Sequence, residues 1–355
     1  MTLLSKTYSI CNTCYRHIDA EKHIIEDKIY LIKTCPTHGT TKNLVEHNAD
    51  FYLNYKYKQR PPVNYFLEIT NRCNLSCPHC YQMPDNLSHD PSISSIISKV
   101  KNWPDNGTAF SLVGAEPTMR KDFFELLQEL RLLPGKERPI FVLTNGVILS
   151  NKNFVKQLSN IKNLHCVIGL NHETYQGKKV RAKQIKGIEN CVENSVSIKN
   201  ISYTLEKLEH MQDCIEEIVN FKFNIKAFYR IRCGAQIGRS PKNEKQLYLS
   251  DLVTHAKEIS YKKNISFTEN NESHNRAHYA AYLNDLSFKI IQWPDKTTLD
   301  LKEVQTEALG DFLENKPISP LVHQVILRDA YVNKSLPLLD TIPDDWNKNY
   351  GTYND

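Results

Sequence analysis

The chain has 355 residues, of which 40% are hydrophobic and 24% charged, and a formal net charge of +5. That length predicts two or three domains, with enough apolar residues for a sizeable core. The small net charge gives no reason to expect a nucleic-acid partner. The absence of any run of 18 apolar residues excludes a helical membrane span. The first residues, Met1 to Lys6, lack the apolar core of a signal peptide, so a cytoplasmic protein is expected.

Ten cysteines in such a chain read as metal binding or catalysis rather than as a disulfide framework. In residues 1–50, Cys11-x2-Cys14 is followed by Cys35-x2-His38 after 20 intervening residues, a Cys3His spacing suited to zinc or to a rubredoxin-like iron. Between the pairs, Ile24 to Ile32 reads as two short strands around a charged turn. A segment this small cannot bury its own core, and a structural metal could supply about 10–16 kcal/mol of folding free energy. Residues 51–64, with Pro61-Pro62, read as a linker.

Residues 65–240 alternate strand and helix. Tyr65 to Thr70 is a short apolar strand, and it runs into Cys73-x3-Cys77-x2-Cys80. Iron–sulfur clusters usually take four cysteine ligands, so a triplet leaves one iron open to a small molecule. A zinc site or buried thiols is the alternative reading. The loop follows a strand, and in β/α barrels the C-terminal ends of the strands carry the chemistry. Asp90-Pro91 is expected to open a helix through Val100. Phe110 to Val113 is a strand ending at Gly114-Ala115-Glu116-Pro117-Thr118, and Asp122 to Leu133 is an amphipathic helix. Pro139 to Leu143 is a strand ending at Thr144-Asn145-Gly146, and His165 to Leu170 one ending at Asn171. Helices over 181–194 and 211–221 frame the strands 195–205 and 225–232, the last ending at Cys233. Such alternation predicts a parallel sheet of six β/α units. Cys166, Cys191 and Cys214 fall among apolar residues and are expected in the core. Beyond 240 the pattern becomes α+β: a helix over 251–260, a hairpin through Asn284-Asp285, and a helix over 302–314.

The cysteine triplet, the Gly114–Thr118 motif and the Thr144-Asn145-Gly146 strand end occur in the order found in the radical S-adenosylmethionine (SAM) superfamily, which the chain resembles. The Cys11/Cys14/Cys35/His38 module resembles that of the branch containing tetraether-lipid synthase and methanopterin methylase. The resemblance implies an α/β fold: a partial (β/α)6 radical SAM barrel at 65–240, the metal-binding module at 1–50 and a C-terminal α+β cap at 241–355. It implies an enzyme holding a [4Fe-4S] cluster on Cys73, Cys77 and Cys80. That enzyme cleaves SAM to a 5′-deoxyadenosyl radical that acts on a small molecule, with a one-electron donor such as ferredoxin or flavodoxin as partner. Gly114, Ala115, Glu116 and Pro117 would hold the SAM amino group; Ala115 replaces the family's second glycine. Tyr81 would pack beside the adenine, and Asn145 and Asn171 would lie by the cofactor. Arg232 would pair with the SAM carboxylate, and Cys233 would be a hydrogen-atom donor. A peptide-modifying maturase and a non-catalytic iron–sulfur or zinc protein are the alternatives.

Overall fold

The computed structural model describes residues 1–14, 16–55, 64–78, 80, 82, 84, 86–87, 89–101, 109–133, 138–170, 177–205, 207–221, 223, 225–233, 247–270, 273, 277–304, 309–313 and 316–318. The chain begins as a four-stranded antiparallel sheet: β1 (Thr2–Ile10), β2 (His17–Ile25), β3 (Lys28–Cys35) and β4 (Gly39–Glu46), in that spatial order. Sequence reading found only the β2–β3 hairpin. Its turn residues Glu26 (φ 50°) and Asp27 (φ 56°) are both left-handed, the backbone of a type I′ turn that matches strand twist. The expected linker starts instead as helix α1 (Ala49–Asn54), capped by the Asn48 side chain, which accepts from the Phe51 N–H. Its remainder, 56–63, lies outside the described residues.

Six strands then line up in parallel and in chain order: β5 (Asn64–Thr70), β6 (Ala109–Gly114), β7 (Ile140–Thr144), β8 (Leu164–Gly169), β9 (Ser197–Leu205) and β10 (Phe228–Cys233). The helices between and after them are α2 (Ile93–Val100), α3 (Phe123–Leu132), α4 (Lys152–Ser159), α5 (Lys178–Glu193), α6 (Met211–Val219) and α7 (Leu249–Lys262). The expected Asp90-Pro91 helix start is displaced. Ser92 caps α2 by accepting from the Ser95 N–H, because the Asp90 carboxylate is held instead by Thr70 and Arg72.

Alternate residues of a strand face opposite ways. Leu67, Ile69, Leu112, Val142, Ile168, Ile201, Tyr203, Tyr229 and Ile231 form one fully buried face. They pack against Leu126, Leu127, Val155, Ile188 and Ile215 of the helices. Cys166, Cys191 and Cys214 sit in this core, as expected. The opposite face carries Glu68, Ser111, Asn200, Ser202, Thr204, Arg230 and Arg232. Two-sided patterning of this kind makes one face a core and leaves the other for a site.

The sheet continues past β10. The hairpin of β12 (His278–Leu283) and β13 (Leu286–Ile291) turns at Asn284 (φ 51°), and β13 lies parallel to β10, with the short β11 (Phe267–Glu269) beyond β12. Within the expected helix over 302–314, the described residues hold one turn, α8 (Leu301–Val304). It is followed by β14 (Leu309–Leu313) and β15 (Lys316–Ile318), and β14 pairs in parallel with β5. Available pairing on the open edge of β5 overrides the local helical pattern. Among the described residues, no helix is long and apolar enough to cross a membrane.

Polar groups buried between distant segments dock the N-terminal sheet. The Lys22 ammonium meets the Asp300 carboxylate at 2.6 Å, with both side chains at most 5% exposed. Thr7 Oγ1 donates to the same carboxylate (2.6 Å) and Ser9 Oγ to the Leu299 carbonyl (2.7 Å). Glu46 accepts from Ser250 Oγ (2.6 Å) and its backbone N–H (3.2 Å). Removing one partner of a buried ion pair strands the other charge, so Asp300→Ala is expected to cost about 3–5 kcal/mol in denaturant unfolding. The Lys22→Met/Asp300→Leu double variant should recover most of that loss.

Candidate active site and metal centre

The N-terminal constellation closes in space. Cys11 Sγ and Cys35 Sγ lie 3.6 and 3.5 Å from His38 Nδ1, and Cys14 Sγ lies 3.9 Å from Cys35 Sγ. All four ligand atoms fall within 4.8 Å of one another. A tetrahedral zinc with ordinary Zn–S and Zn–N bonds sets ligand–ligand edges of about 3.5–3.8 Å. The donor set and spacing therefore fit a metal. Burial raises the Cys35 thiol, but hydrogen bonds from His38 and from the Thr37 and His38 backbone outweigh it and hold the thiol down at about 6. Among the described residues, the buried cluster at the thiols adds a single aliphatic side chain, Ile18. Treatment with a strong zinc chelator is therefore expected to collapse hydrogen-exchange protection in β1–β4 before that of β5–β10. Uniform loss across both sheets would contradict this.

The second centre is the loop leaving β5. Its root is clamped from three sides. Ala115 and Glu116 donate their backbone N–H groups to the Thr70 and Arg72 carbonyls, both at 3.0 Å. Arg120 donates to the Ile69 carbonyl at 2.7 Å. The Arg72 guanidinium pairs with Asp90, which also accepts from Thr70 Oγ1 at 2.6 Å. Gly114 is required here: its φ is +122°, and a Cβ would come within 2.1 Å of the Thr70 carbonyl oxygen.

Cys73 is buried, while Cys77 and Cys80 are partly exposed. The Cys73 N–H donates to Asn86 Oδ1 (2.9 Å), and Cys73 Sγ receives the Leu75 N–H (3.3 Å) and Asn145 Nδ2 (3.8 Å). Burial pushes the Cys73 thiol up to about 11, with Glu116 and the neighbouring Cys77 and Cys80 adding to the rise against the Leu75 N–H. Such a thiol stays neutral until a metal deprotonates it, and N–H donors then support the coordinated sulfur. The three thiols on one loop, with N–H donors already aimed at the first, fit an iron–sulfur cluster.

Glu116 has no exposed surface. Its Oε1 accepts from the Thr118 N–H (3.2 Å), Thr118 Oγ1 (2.5 Å) and Thr144 Oγ1 (2.7 Å), and its Oε2 from the Asn145 N–H (2.7 Å). This carboxylate fastens the end of β6 to the end of β7. Burial raises its pKa, while the Asn145, Thr118 and Thr144 donors oppose the rise. Pro117 starts the 3-10 turn that follows. Asn145 then reaches back, donating to Asn74 Oδ1 at 2.8 Å inside the cysteine loop. Gln184 on α5 bridges the Asn145 and Gly169 carbonyls at 2.8 and 3.0 Å.

Arg232 faces away from the helices, its Nε donating to Thr204 Oγ1 at 3.0 Å. Cys233, one residue on, falls on the other face. It packs against the core, where burial pushes its thiol up to about 12. That placement removes it from the open face a hydrogen-atom donor would need. Tyr81 and Asn171 lie outside the described residues. Asn74, Asn86 and Gln184 were not singled out from sequence, and Asp90 was read only as a helix start. They are ordinary polar residues whose partners lie on other elements, and spacing carries no signal for them.

A parallel α/β sheet with a cysteine triplet at the C-terminal end of its first strand defines the class. Residues 67–221 match the radical SAM superfamily, and residues 3–47 match the HMPTM N-terminal zinc ribbon domain. The chain thus carries a zinc ribbon followed by a radical SAM domain, a superfamily that uses a [4Fe-4S] cluster and SAM. The chain is 28% identical over 224 residues to 7,8-dihydro-6-hydroxymethylpterin dimethyltransferase of Methanocaldococcus jannaschii, covering 52% of this chain and 44% of that protein. It is 26% identical to Fe-coproporphyrin III synthase of Methanosarcina barkeri, covering 47% of this chain and 41% of that one. It is 31% identical to a probable GTP 3′,8-cyclase of Methanosarcina acetivorans, covering 40% and 45%. The chain thus spans less than half the length of each of these relatives. Among solved structures, Streptococcus suis SuiB bound to precursor peptide SuiA aligns with a TM-score of 0.50 at 14% identity, covering 79% of this chain and 64% of that one. At that identity the likeness concerns the fold alone.

Proposed function

We propose that this protein is a radical SAM enzyme that cleaves SAM reductively and acts on a small molecule. The observation that carries the reading is the cysteine loop at the C-terminal end of β5, clamped by Gly114–Glu116 and reached by Asn145. Cys73, Cys77 and Cys80 would hold the [4Fe-4S] cluster. When bound, the cluster and SAM supply an electron transfer that breaks a carbon–sulfur bond, giving methionine and a 5′-deoxyadenosyl radical that removes a hydrogen atom from substrate.

The chain's own residues bind, orient and exclude water. The carbonyls of Gly114 to Pro117 would accept from the SAM ammonium, with Ala115 leaving the path clear. Glu116, its oxygens already bonded within the protein, is a positioning residue that fixes this turn against Asn145. Arg232, oriented through Nε by Thr204, would offer its outer N–H groups to the SAM carboxylate. Tyr81 would pack beside the adenine and Asn171 would contact the ribose. Cys233 is a structural thiol on this reading. The ribbon at 1–50 is structural, with zinc on Cys11, Cys14, Cys35 and His38, joined through 51–64 to the catalytic domain at 65–240 and the extension at 241–355. A cytoplasmic one-electron donor of the ferredoxin or flavodoxin type would reduce the cluster.

The names of three relatives denote a pterin, a coproporphyrin and GTP, which supports a small-molecule substrate. Protein reconstituted without oxygen, reduced with dithionite and given SAM is expected to form 5′-deoxyadenosine, read by mass spectrometry. Failure to bind SAM with an intact cluster would refute the reading and favour an electron-transfer or sensor protein.

A further inference from the structure

The face of the sheet away from the helices carries a run of hydrogen-bond donors outside the cysteine loop. Arg230 Nε donates to Ser202 Oγ, and Ser202 Oγ donates onward to Asn200 Oδ1 at 2.7 Å. Asn200 is 3% exposed, and its Nδ2 has no acceptor among the described residues. Two residues towards the strand ends, Arg232 Nε is held in the same manner by Thr204 Oγ1. Strand register puts Lys289 of β13 beside Arg230, on the same face. Adjacent strands stand about 4.8 Å apart and alternate residues about 6.6 Å along a strand, so these groups form one contiguous wall.

On β9, β10 and β13 the polarity of this wall is one-sided, the Glu68 of the same face lying across the sheet on β5. Each hydroxyl in it is already used as an acceptor by an arginine. The bond series from Arg230 ends at Asn200 in an open N–H group, and a buried donor without an acceptor is costly. No residue of β8, β9, β10, β12 or β13 is an aspartate or glutamate. The complement of such a surface is an acceptor-rich, negatively charged group. The wall also runs to the C-terminal ends of β9 and β10, the same end of the parallel sheet as the cysteine loop on β5.

We propose that this wall binds an oxyanion, carboxylate or phosphate, of the small-molecule substrate, with Asn200, Arg230 and Lys289 as its donors; the word substrate rests on the radical SAM reading, the anion site does not. The test is isothermal titration of the anaerobically reconstituted full chain with inorganic pyrophosphate and, separately, malonate, with and without SAM. One of the two probes is expected to bind the parent, and the stronger one tells phosphate from carboxylate. Asn200→Asp, which replaces the open N–H group with an oxygen at constant shape, and Arg230→Met should each weaken that probe at least about tenfold. Their SAM affinity and thermal melts should match the parent's. Binding of neither probe, or equal binding by parent and both variants, would overturn the proposal. So would a matching loss of SAM affinity in the variants, which would give the wall to the cofactor. A parent that binds the probe but not SAM would leave the anion site standing and refute the radical SAM reading alone.

Discussion

Cys77→Ala is expected to reduce 5′-deoxyadenosine formation to background. Loss of a group that merely supports a metal ligand already costs about 10–100-fold, so loss of a ligand should exceed that range. Among the described residues, no cysteine outside the loop lies where it could replace Cys77. Cys166, Cys191 and Cys214 are sealed in the apolar core behind the sheet, and Cys233 packs on that same side. The variant should also bind less iron and sulfide while keeping its far-ultraviolet circular dichroism, since Cys77 is partly exposed and contributes no core packing. Cys214→Ala makes the contrast. It removes a buried thiol from the core, so it should lower stability modestly and leave iron content and SAM cleavage intact. Normal 5′-deoxyadenosine formation by Cys77→Ala would remove the cysteine loop from the chemistry.

Gly114→Ala is the second large effect, and it acts through the backbone. Two penalties add. At φ +122° an alanine is strained by about 1–3 kcal/mol. Its Cβ would also meet the Thr70 carbonyl oxygen at 2.1 Å, an overlap that has to be relieved by moving β5 or β6 at about 1–3 kcal/mol more. Thr70 is the residue from which the cysteine loop departs, and its carbonyl accepts from the Ala115 N–H. Relief of the clash therefore displaces the loop. Expected are a destabilisation of about 2–6 kcal/mol in denaturant melts and substoichiometric iron after reconstitution. Gly39→Ala is the control for strain alone. Its φ is +74°, and a Cβ there meets nothing within 4 Å, so about 1–2 kcal/mol is expected. Equal costs at the two positions would show that the β5–β6 contact is not a tight one.

These two residues also mark what sequence could and could not supply. Cys77 stands in a spacing that names its chemistry, and Gly114 stands in a motif that follows it in a known order. The strand–helix alternation from 65 to 233 was legible for a related reason: each element has an apolar face with its own period, and that periodicity is local. The outer strands β1 and β4 were not legible. Their exposed positions are many, and their pairing is set by the β2–β3 hairpin they flank. The docking of the ribbon was hidden for a stronger reason. Lys22, Lys33 and Glu46 look like surface charges in sequence, yet each is at most 3% exposed. They are buried because Asp300, the Lys296 carbonyl and Ser250, two hundred residues or more away, satisfy them. The pairing of β14 with β5 is of the same kind. At the site, the cysteines and the Gly114–Pro117 motif were visible, but the role of Glu116 changes once its four donors are seen. It fastens two strand ends, with both carboxylate oxygens engaged inside the protein.

Cys73, Cys77 and Cys80 are expected to hold a cluster whose open iron binds SAM. Electron paramagnetic resonance of the dithionite-reduced protein, recorded with and without saturating SAM, tests it most directly. The expected result is a reduced-cluster signal whose shape changes on adding SAM and which is absent from Cys77→Ala. A signal indifferent to SAM, or one that survives in Cys77→Ala, would contradict the claim.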